Sequence, residues 1–223
     1  MKAMILAAGR GERMRPLTDT CPKPLLPAGG KPLIVWHIER LAAAGIRDLV
    51  INHAHLGEQI ESTLGDGSAW GVRIQYSPEP LGALETAGGI RHALPLLGHD
   101  AFLVINGDIF CDIPLEPLRD RLALDDLAHL VLIHNPEHNP NGDFSLEDGR
   151  IGTTGDQRFT FSGVGVYHPA FFAQLVDGQS AKLAPLLRGA ADAECVSGEL
   201  HTGQWIDVGT PARLAALDHQ LRG

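Results

Sequence analysis

A glycine-rich, basic stretch near the start of the chain has the composition of an anion-binding loop. Residues 4–18 read MILAAGRGERMRPLT, and Lys23 follows between two prolines. Small residues and glycines let backbone N–H groups approach an anionic ligand. Arg10, Arg13, Arg15 and Lys23 add positive charge that phosphate binding uses and that a plain turn does not need. The stretch therefore predicts phosphate binding.

Two aspartates much further along the chain are candidate metal ligands. Asp108 follows an apolar run through Asn106 and Gly107, and Asp207 ends a second apolar run before a Val-Gly-Thr-Pro sequence. Magnesium usually takes one or two carboxylates and completes its octahedron with water and substrate phosphates. Either aspartate alone has the properties of a turn or helix-capping residue. Two of them beside a phosphate loop predict a Mg²⁺ site.

Two other phosphate-binding motifs do not fit the loop. The sequence GRGERM at 9–14 lacks the third glycine of a dinucleotide fingerprint, and the second predicted strand ends in Asn52 rather than the acidic residue that holds a ribose. A Walker loop needs Gly-Lys followed by Ser or Thr, which the chain does not contain. The interpretation that remains is phosphate binding by Gly11, Arg13 and Lys23 together with a metal ion.

Strands alternate with helices along most of the chain, which predicts βαβ units and a parallel sheet. Ligands of open α/β sheets lie outside the carboxyl ends of the strands, so we expect the opening loop and Asp108 to face one crevice. The segment 135–143 is rich in Asn, Pro and Gly and is predicted to be a loop over the site. The predicted helices cover 32–44, 56–64, 84–97, 115–124, 169–175, 181–191 and 211–221. The predicted strands cover 2–6, 48–52, 72–76, 101–105, 129–134, 195–200 and 204–207, with short strands and turns between 144 and 167.

Size and composition favour one globular domain over residues 1–223. The hydrophobic fraction of 44% and the charged fraction of 20% exclude disordered and fibrous classes. The net charge of −9 argues against a general nucleic-acid binder. The apolar runs are too short for a membrane span or a signal peptide, and the three widely spaced cysteines suggest reduced thiols. We therefore expect a cytoplasmic protein without nucleic-acid or membrane partners, and its oligomeric state stays open.

Taken together, these motifs resemble the signature of the sugar-1-phosphate nucleotidyltransferases. That signature, G-x-G-T-R-x-x-P-L-T followed by Pro-Lys-Pro, stands here at 9–18 and 22–24, and further matches lie at 81–82, 106–108 and 205–211. The resemblance implies an α/β fold with a doubly wound, mostly parallel sheet flanked by helices. It also implies that a nucleoside triphosphate and a sugar 1-phosphate react with the help of Mg²⁺.

The resemblance further implies roles for individual residues. Arg13, Lys23 and Asp108 would be catalytic, and Asp108 and Asp207 would hold the metal. The residues implied to bind the nucleotide are Ala8, Gly9, Gly11, Glu12, Arg13, Lys23, Glu79 and Gly82. The residues implied to contact the sugar are Asn106, Asp143 and Trp205.

Within this family, the compact length without a C-terminal β-helix and the sequence LGALETAGG at 81–89 are most similar to bacterial N-acetylmuramate α-1-phosphate uridylyltransferases of cell-wall recycling. The expected reaction is transfer of UMP from UTP to N-acetylmuramic acid 1-phosphate. Two alternatives stay open at this point. One is a glucose- or mannose-1-phosphate nucleotidyltransferase that uses another nucleoside triphosphate, and the other is a non-catalytic nucleotide-sugar sensor.

Three departures from the family pattern bear on the site. Glu12 replaces the usual threonine and adds an acidic side chain to the phosphate loop. Residues 83–85 lengthen the usual Leu-Gly-Thr-Ala turn. The Glu-Lys-Pro motif that many relatives carry before the strand at 161–167 is replaced by 153–159, so the contacts to the sugar phosphate are not assigned by motif.

Overall fold

The computed structural model describes residues 1–80 and 84–223, so the nucleotide contact predicted for Gly82 lies outside the described residues. Among the described residues, no helix is long and apolar enough to cross a membrane. The strands are β1 Lys2–Leu6, β2 Pro27–Ala28, β3 Lys31–Pro32, β4 Asp48–His53, β5 Arg73–Pro78, β6 Phe102–Asn106, β7 Ile109–Cys111, β8 Ala128–Ile133, β9 Ser145–Glu147, β10 Arg150–Gly152, β11 Thr160–Tyr167, β12 Val196–His201 and β13 Trp205–Asp207. The helices are α1 Leu33–Ala43, α2 Gly57–Leu64, α3 Glu85–Leu97, α4 Leu183–Asp192 and α5 Pro211–Arg222.

One large sheet runs through the described part of the chain in the order β5-β4-β1-β6-β11-β8-β12-β10-β9. β1 pairs in parallel with β4 and β6, β4 with β5, and β8 with β12. β11 and β10 each pair antiparallel with both of their neighbours, so these two strands run in the opposite direction to the other seven. The prediction of an α/β fold with a mostly parallel sheet is confirmed.

Helices cover both faces of the sheet, which explains the continuous apolar character of its central strands. On one face, Ile5 packs in a cluster with Ile38 of α1 and Ile60 of α2. On the other face, the adjacent Met4 packs with Ile90 of α3 and with side chains of α4. Because successive strand residues point to opposite faces, β1 must be apolar at both positions. The sheet is therefore doubly wound, as predicted.

Two predicted helices are wrong. The segment 115–124 contains only a 3₁₀ turn at Pro117–Asp120. Leu115 and Leu118 are buried, but residues 121 and 123–125 are exposed, so the second half of the segment lacks the packing that stabilises a helix. The segment 169–175 contains only a 3₁₀ turn at Pro169–Phe172. Its buried residues Phe171 and Phe172 are adjacent in sequence, and adjacent residues do not share a helix face.

A small third cluster joins the opening loop to the end of the chain. Met14 in the loop is fully buried and packs with Leu33 of α1, Val208 after β13 and Leu214 of α5. The backbone N–H of Gly29 also donates to Asp218 Oδ1 at 2.9 Å. This packing fixes the phosphate loop against the segment that carries Asp207.

Candidate active site

A central cleft of about 270 Å³ opens at the carboxyl ends of β1, β4 and β6. In it, Lys23 Nζ lies 2.6 Å from Asp108 Oδ2. The Lys23 side chain is only 8% exposed, whereas that of Asp108 is 41% exposed, so the carboxylate stays accessible to a ligand. The residues that line this central cleft are Leu6, Ala7, Ala8, Gly9, Lys23, Pro24, Asn52, Glu79, Glu85, Thr86, Asn106, Gly107 and Asp108.

The opening loop folds back on Gly11, which has the left-handed φ of 68° that favours glycine. A Cβ at this position would lie 2.9 Å from Thr18 Cγ2 and 3.3 Å from Lys23 Cβ. The Thr18 hydroxyl donates to the Gly11 carbonyl at 2.8 Å and closes the loop. The structure therefore explains why the motif combines a glycine, a threonine and a lysine. A loop cavity of about 280 Å³ is lined by Gly9, Gly11, Glu12, Arg13, Met14, Lys23, Asp108 and Gly209.

Glu12 lies in a 3₁₀ turn at Glu12–Met14 and is exposed. Its carboxylate forms no ion pair within residues 1–80 and 84–223, so it is not locked across the loop. Arg13 lines the loop cavity, while Arg15 pairs with Asp19 at 3.1 Å on an exposed surface. Of these arginines, Arg13 is therefore the one that the structure places beside the predicted phosphate site.

Gly107 lets Asp108 approach the opening loop. Its backbone N–H donates to the Leu6 carbonyl at 2.9 Å, and a Cβ on it would lie only 2.6 Å from that oxygen. Only glycine allows this contact without moving β6 away from β1. On the other side of Asp108, the His37 ring donates a hydrogen bond from Nε2 to the Ile109 carbonyl at 2.9 Å. The backbone on both sides of Asp108 is thus fixed.

His37 gives the protein a specific sensitivity to acid. Burial lowers the pKa of His37 from 6.5 to about 4, with Arg40 adding to the effect. Between these values the unfolded chain binds the proton and the folded chain does not, so the unfolding free energy falls as the pH falls. We expect a loss of about 3 kcal/mol from this histidine between pH 6.5 and 4. Chemical denaturation of the wild type and His37→Gln over this range measures it.

The difference between the two pH curves isolates His37 from carboxylates that titrate in the same range. Glutamine keeps an N–H donor for the Ile109 carbonyl but does not titrate. Parallel curves for the wild type and His37→Gln would contradict the expected contribution.

Asp207 comes beside Asp108 through a two-stranded ribbon. β13 pairs antiparallel with β7, with Asp207 opposite Ile109, and the Val208 N–H donates to the Asp108 carbonyl at 2.9 Å. A Cβ on Gly209 would lie 2.9 Å from Asp207 Oδ2 and 3.1 Å from Arg13 Nη2. The absence of a side chain at Gly209 therefore lets the guanidinium and the carboxylate approach the same point.

The donor set suits the metal ion that the sequence predicts. One oxygen of each carboxylate is paired, Asp108 Oδ2 with Lys23 and Asp207 Oδ2 with Arg213, both at 2.6 Å. The Oδ1 atoms have no hydrogen-bond partner among the described residues, which leaves one ligand oxygen on each side. The described residues contain no group of three or more His, Cys, Asp or Glu side chains that could hold a metal. Two carboxylates with room for water and phosphate fit Mg²⁺ better than a closed protein cage does.

Asn52 and Glu79 build the opposite wall of the central cleft. Asn52 Oδ1 accepts from the Ala7 N–H at 2.9 Å, and Asn52 Nδ2 donates to Glu79 Oε1 at 2.6 Å. A Cβ on Gly89 would lie 2.3 Å from Glu79 Oε1, so a glycine on α3 makes room for this carboxylate. The predicted Ala8 and Glu79 therefore do line one cleft, and Asn52 positions both segments.

On the predicted sugar side, Asn106 and Trp205 lie on either side of a bulge in β11. Trp205 Nε1 donates to the Ser162 carbonyl at 2.8 Å. The next residue, Gly163, has a φ of 83° and packs against Asn106, whose Nδ2 would be 2.4 Å from a Cβ there. The structure therefore brings Asn106 and Trp205 together without any motif that joins them in sequence.

The carboxylate of Asp143, also predicted to contact the sugar, is engaged by its own loop. Asp143 Oδ2 accepts from Asn139 Nδ2 at 3.2 Å and from the Phe161 N–H at 2.9 Å. These bonds hold the loop between β8 and β9 in place. In the same loop, His138 stacks on Trp205 with an interplanar angle of 20°. The sugar contact of Asp143 stays a prediction, while the loop does lie over Trp205.

Sequence reasoning missed several residues that the structure places in the site. Asn52 is the next-to-last residue of β4, the strand next to β1, and the rule that ligands bind at the carboxyl ends of parallel strands could have identified it. Glu85 lines the central cleft with a φ of 57°, which is unusual for a residue other than glycine. His138 and Arg213 carried no motif and reach Asp207 only through tertiary packing.

Comparison with known proteins assigns this arrangement to a class. A sequence model of the nucleotidyl transferase family matches residues 2–146. A crystal structure from Bacillus anthracis, assigned as a glucose-1-phosphate thymidylyltransferase, superposes with a TM-score of 0.86 and 23% identity, covering 100% of this chain and 95% of that one. At this identity the superposition shows the shared fold. The chain belongs to the nucleotidyl transferase family.

The similarity to particular members is closer. The chain is 59% identical to the N-acetylmuramate α-1-phosphate uridylyltransferase of Neisseria meningitidis serogroup B, over 96% of this chain and 95% of that protein. It is 37% identical to the protein of the same name from Caulobacter vibrioides, over 96% and 94%. A mannose-1-phosphate guanyltransferase of Aspergillus fumigatus is 32% identical, and the match covers 61% of that protein. The family resemblance drawn from the motifs is confirmed.

Proposed function

We propose that this protein transfers UMP from UTP to N-acetylmuramic acid 1-phosphate, giving a UDP-sugar and pyrophosphate. One observation carries the proposal: Lys23 and Asp108 form a pair at 2.6 Å between a basic glycine loop and a sheet-edge cleft, with Asp207 on the adjoining strand. The 59% identity to the Neisseria uridylyltransferase supports the choice of base and sugar.

The geometry supports a direct displacement without a protein nucleophile. A phosphate oxygen of the sugar 1-phosphate attacks the α-phosphorus of UTP, a new P–O bond forms, and the bond to the β-phosphate oxygen breaks as pyrophosphate leaves. Positioning and charge neutralisation supply most of the catalysis in transfers of this kind. Lys23, buried beside Asp108, provides a fixed positive charge for the α-phosphate and the incoming phosphate.

The remaining charges of the triphosphate meet the loop cavity. Arg13 and the backbone N–H groups of Gly11 and Glu12 would bind the β- and γ-phosphates, since all three residues line that cavity. Asp108 and Asp207 would hold Mg²⁺, which when bound offsets negative charge on the phosphate oxygens. The backbone at Ala8 and the wall formed by Glu79 would contact the uracil base.

A substrate panel tests the proposal. The protein is incubated with Mg²⁺, each of the common nucleoside triphosphates, and N-acetylmuramic acid, N-acetylglucosamine, glucose or mannose 1-phosphate, and pyrophosphate release is measured. We expect the highest kcat/KM with UTP and N-acetylmuramic acid 1-phosphate.

Two outcomes would overturn the proposal. Preference for a different pair, such as GTP with mannose 1-phosphate, would replace the assigned substrates. Tight binding of a UDP-sugar without pyrophosphate release from any pair would make the protein a sensor that keeps the fold.

A further inference from the structure

A side cavity adjoins Asp207, on the protein surface next to the predicted sugar residues. It has a volume of about 500 Å³. Trp205 belongs to its wall and also donates to the carbonyl of Ser162, in the bulge that packs on Asn106, so one residue of the predicted sugar side borders this cavity. The residues that line the side cavity are Pro136, Glu137, His138, Trp205, Ile206, Asp207 and Arg213.

Arg213 has hydrogen-bond donors available to a ligand in this cavity. Its Nη1 donates to Asp207 Oδ2 at 2.6 Å and to the Asp207 carbonyl at 3.4 Å. Its Nε and Nη2 form no hydrogen bond with any residue in the described ranges, and the side chain is 32% exposed. An arginine with donors left on one edge of its planar fork is suited to bind a carboxylate with two hydrogen bonds.

His138 places a second donor on the same wall. Its Nε2 lies 3.6 Å from Asp207 Oδ2, and its ring stacks on Trp205. Arg213 and His138 thus flank the Asp207 carboxylate, and the Arg213 guanidinium partly offsets its charge toward the cavity. Glu137 also lines the cavity, and because it is exposed, water and salt screen its repulsion of an anionic ligand.

We propose that Arg213, assisted by His138, binds a carboxylate carried by the acceptor sugar and so determines which sugar 1-phosphate is used. The inference rests on the proposed function, in which the acceptor carries a lactyl ether. A neutral hexosamine offers these donors only hydroxyl and amide oxygens, whereas an acid substituent on a sugar bound beside Trp205 would pair with the free edge of Arg213 by charge-assisted hydrogen bonds.

The test compares two ligand pairs that differ only in the lactyl group. Initial rates give kcat/KM for N-acetylmuramic acid 1-phosphate and N-acetylglucosamine 1-phosphate with the wild type, Arg213→Gln and Arg213→Lys. Calorimetry gives the affinities of the two corresponding UDP-sugars, which does not require turnover. We expect Arg213→Gln to lower the preference for the lactyl ligand about tenfold or more in both measurements, with Arg213→Lys between it and the wild type.

Arg222→Gln is the matched control, because Arg222 lies on the same helix and pairs with Asp218 away from the cavity. It should keep the wild-type preference. His138→Gln is a second variant on an exposed loop, and we expect it to lower the same preference less. If Arg213→Gln weakens both sugars equally, Arg213 only positions Asp207 and the inference is wrong. If the wild type releases no pyrophosphate but still prefers the lactyl UDP-sugar, the proposed function fails and the inference stands.

Discussion

Lys23→Ala is expected to lower kcat by about 100-fold or more, which is the effect of removing one electrostatic contact to a transition state. The Lys23 side chain is 8% exposed and its Nζ lies 2.6 Å from Asp108. Because water screens a buried charge less than an exposed one, this ammonium group acts strongly on the phosphates that meet in the cleft. Steady-state pyrophosphate release with UTP and N-acetylmuramic acid 1-phosphate, at saturating concentrations of both, measures the change.

Lys31→Ala is the control for the loss of a lysine. Lys31 lies over the ring of Trp36, 3.5 Å from its centroid, and is paired with Glu39 outside the cleft, so turnover should stay near the wild-type rate. A thermal melt of each variant separates lost activity from lost folding. If the Lys23→Ala protein is folded and keeps the wild-type kcat, Lys23 is not a catalytic residue.

Much of the fold follows from elementary patterns in the sequence. β1 was predicted at its observed bounds, and the predicted edges of the other parallel strands agree within one or two residues. These strands are apolar on both faces because helices cover both, which makes their signal strong. At 115–124 the spacing of the leucines predicts a helix, but only a 3₁₀ turn forms, because most residues after that turn are exposed and have no packing to stabilise a helix.

The site was predictable to the extent that it depends on strand ends. Lys23 and Asp108 are far apart in sequence, yet the parallel sheet brings the ends of β1 and β6 together, so the rule for sheet edges connects them. Asp207 was predicted as a metal ligand from its place after an apolar run, but the sequence did not show how it reaches Asp108, because that depends on the pairing of β13 with β7. Short antiparallel ribbons of this kind carry too few residues for a periodic signal.

Side-chain contacts between distant segments could not be predicted from the sequence. Arg213 lies six residues after Asp207, in the first turn of α5, yet nothing in the sequence says that its side chain turns back onto the carboxylate rather than into solvent. His138 lies in a loop whose composition predicts a turn-rich segment but not its target. The pairing of Asn52 with Glu79 likewise depends on a glycine of α3 that makes room for the carboxylate. Such contacts depend on packing between distant segments.

Asp207→Asn is expected to lower kcat about 100-fold and to raise the Mg²⁺ concentration needed for half-maximal rate. Asparagine has nearly the same shape but no charge, so it is a weaker ligand for a hard cation. Asp207 Oδ2 is already paired with Arg213, which leaves Oδ1 for the ion. Without the carboxylate charge, Arg213 also faces the metal site as an uncompensated cation and repels it. Rates measured over a range of Mg²⁺ concentrations separate weaker metal binding from a slower step at saturation.

Asp112→Asn provides the comparison. Asp112 directly follows β7, its backbone N–H bonds to Gln204 just before β13, and its carboxylate pairs with His201 at 2.6 Å away from the cleft. The same chemical change there should leave the Mg²⁺ dependence as in the wild type. If Asp207→Asn and Asp112→Asn show the same Mg²⁺ dependence, Asp207 is not a metal ligand. The ion would then be held by Asp108 and the phosphates, and Asp207 would serve to fix Arg213 at the side cavity.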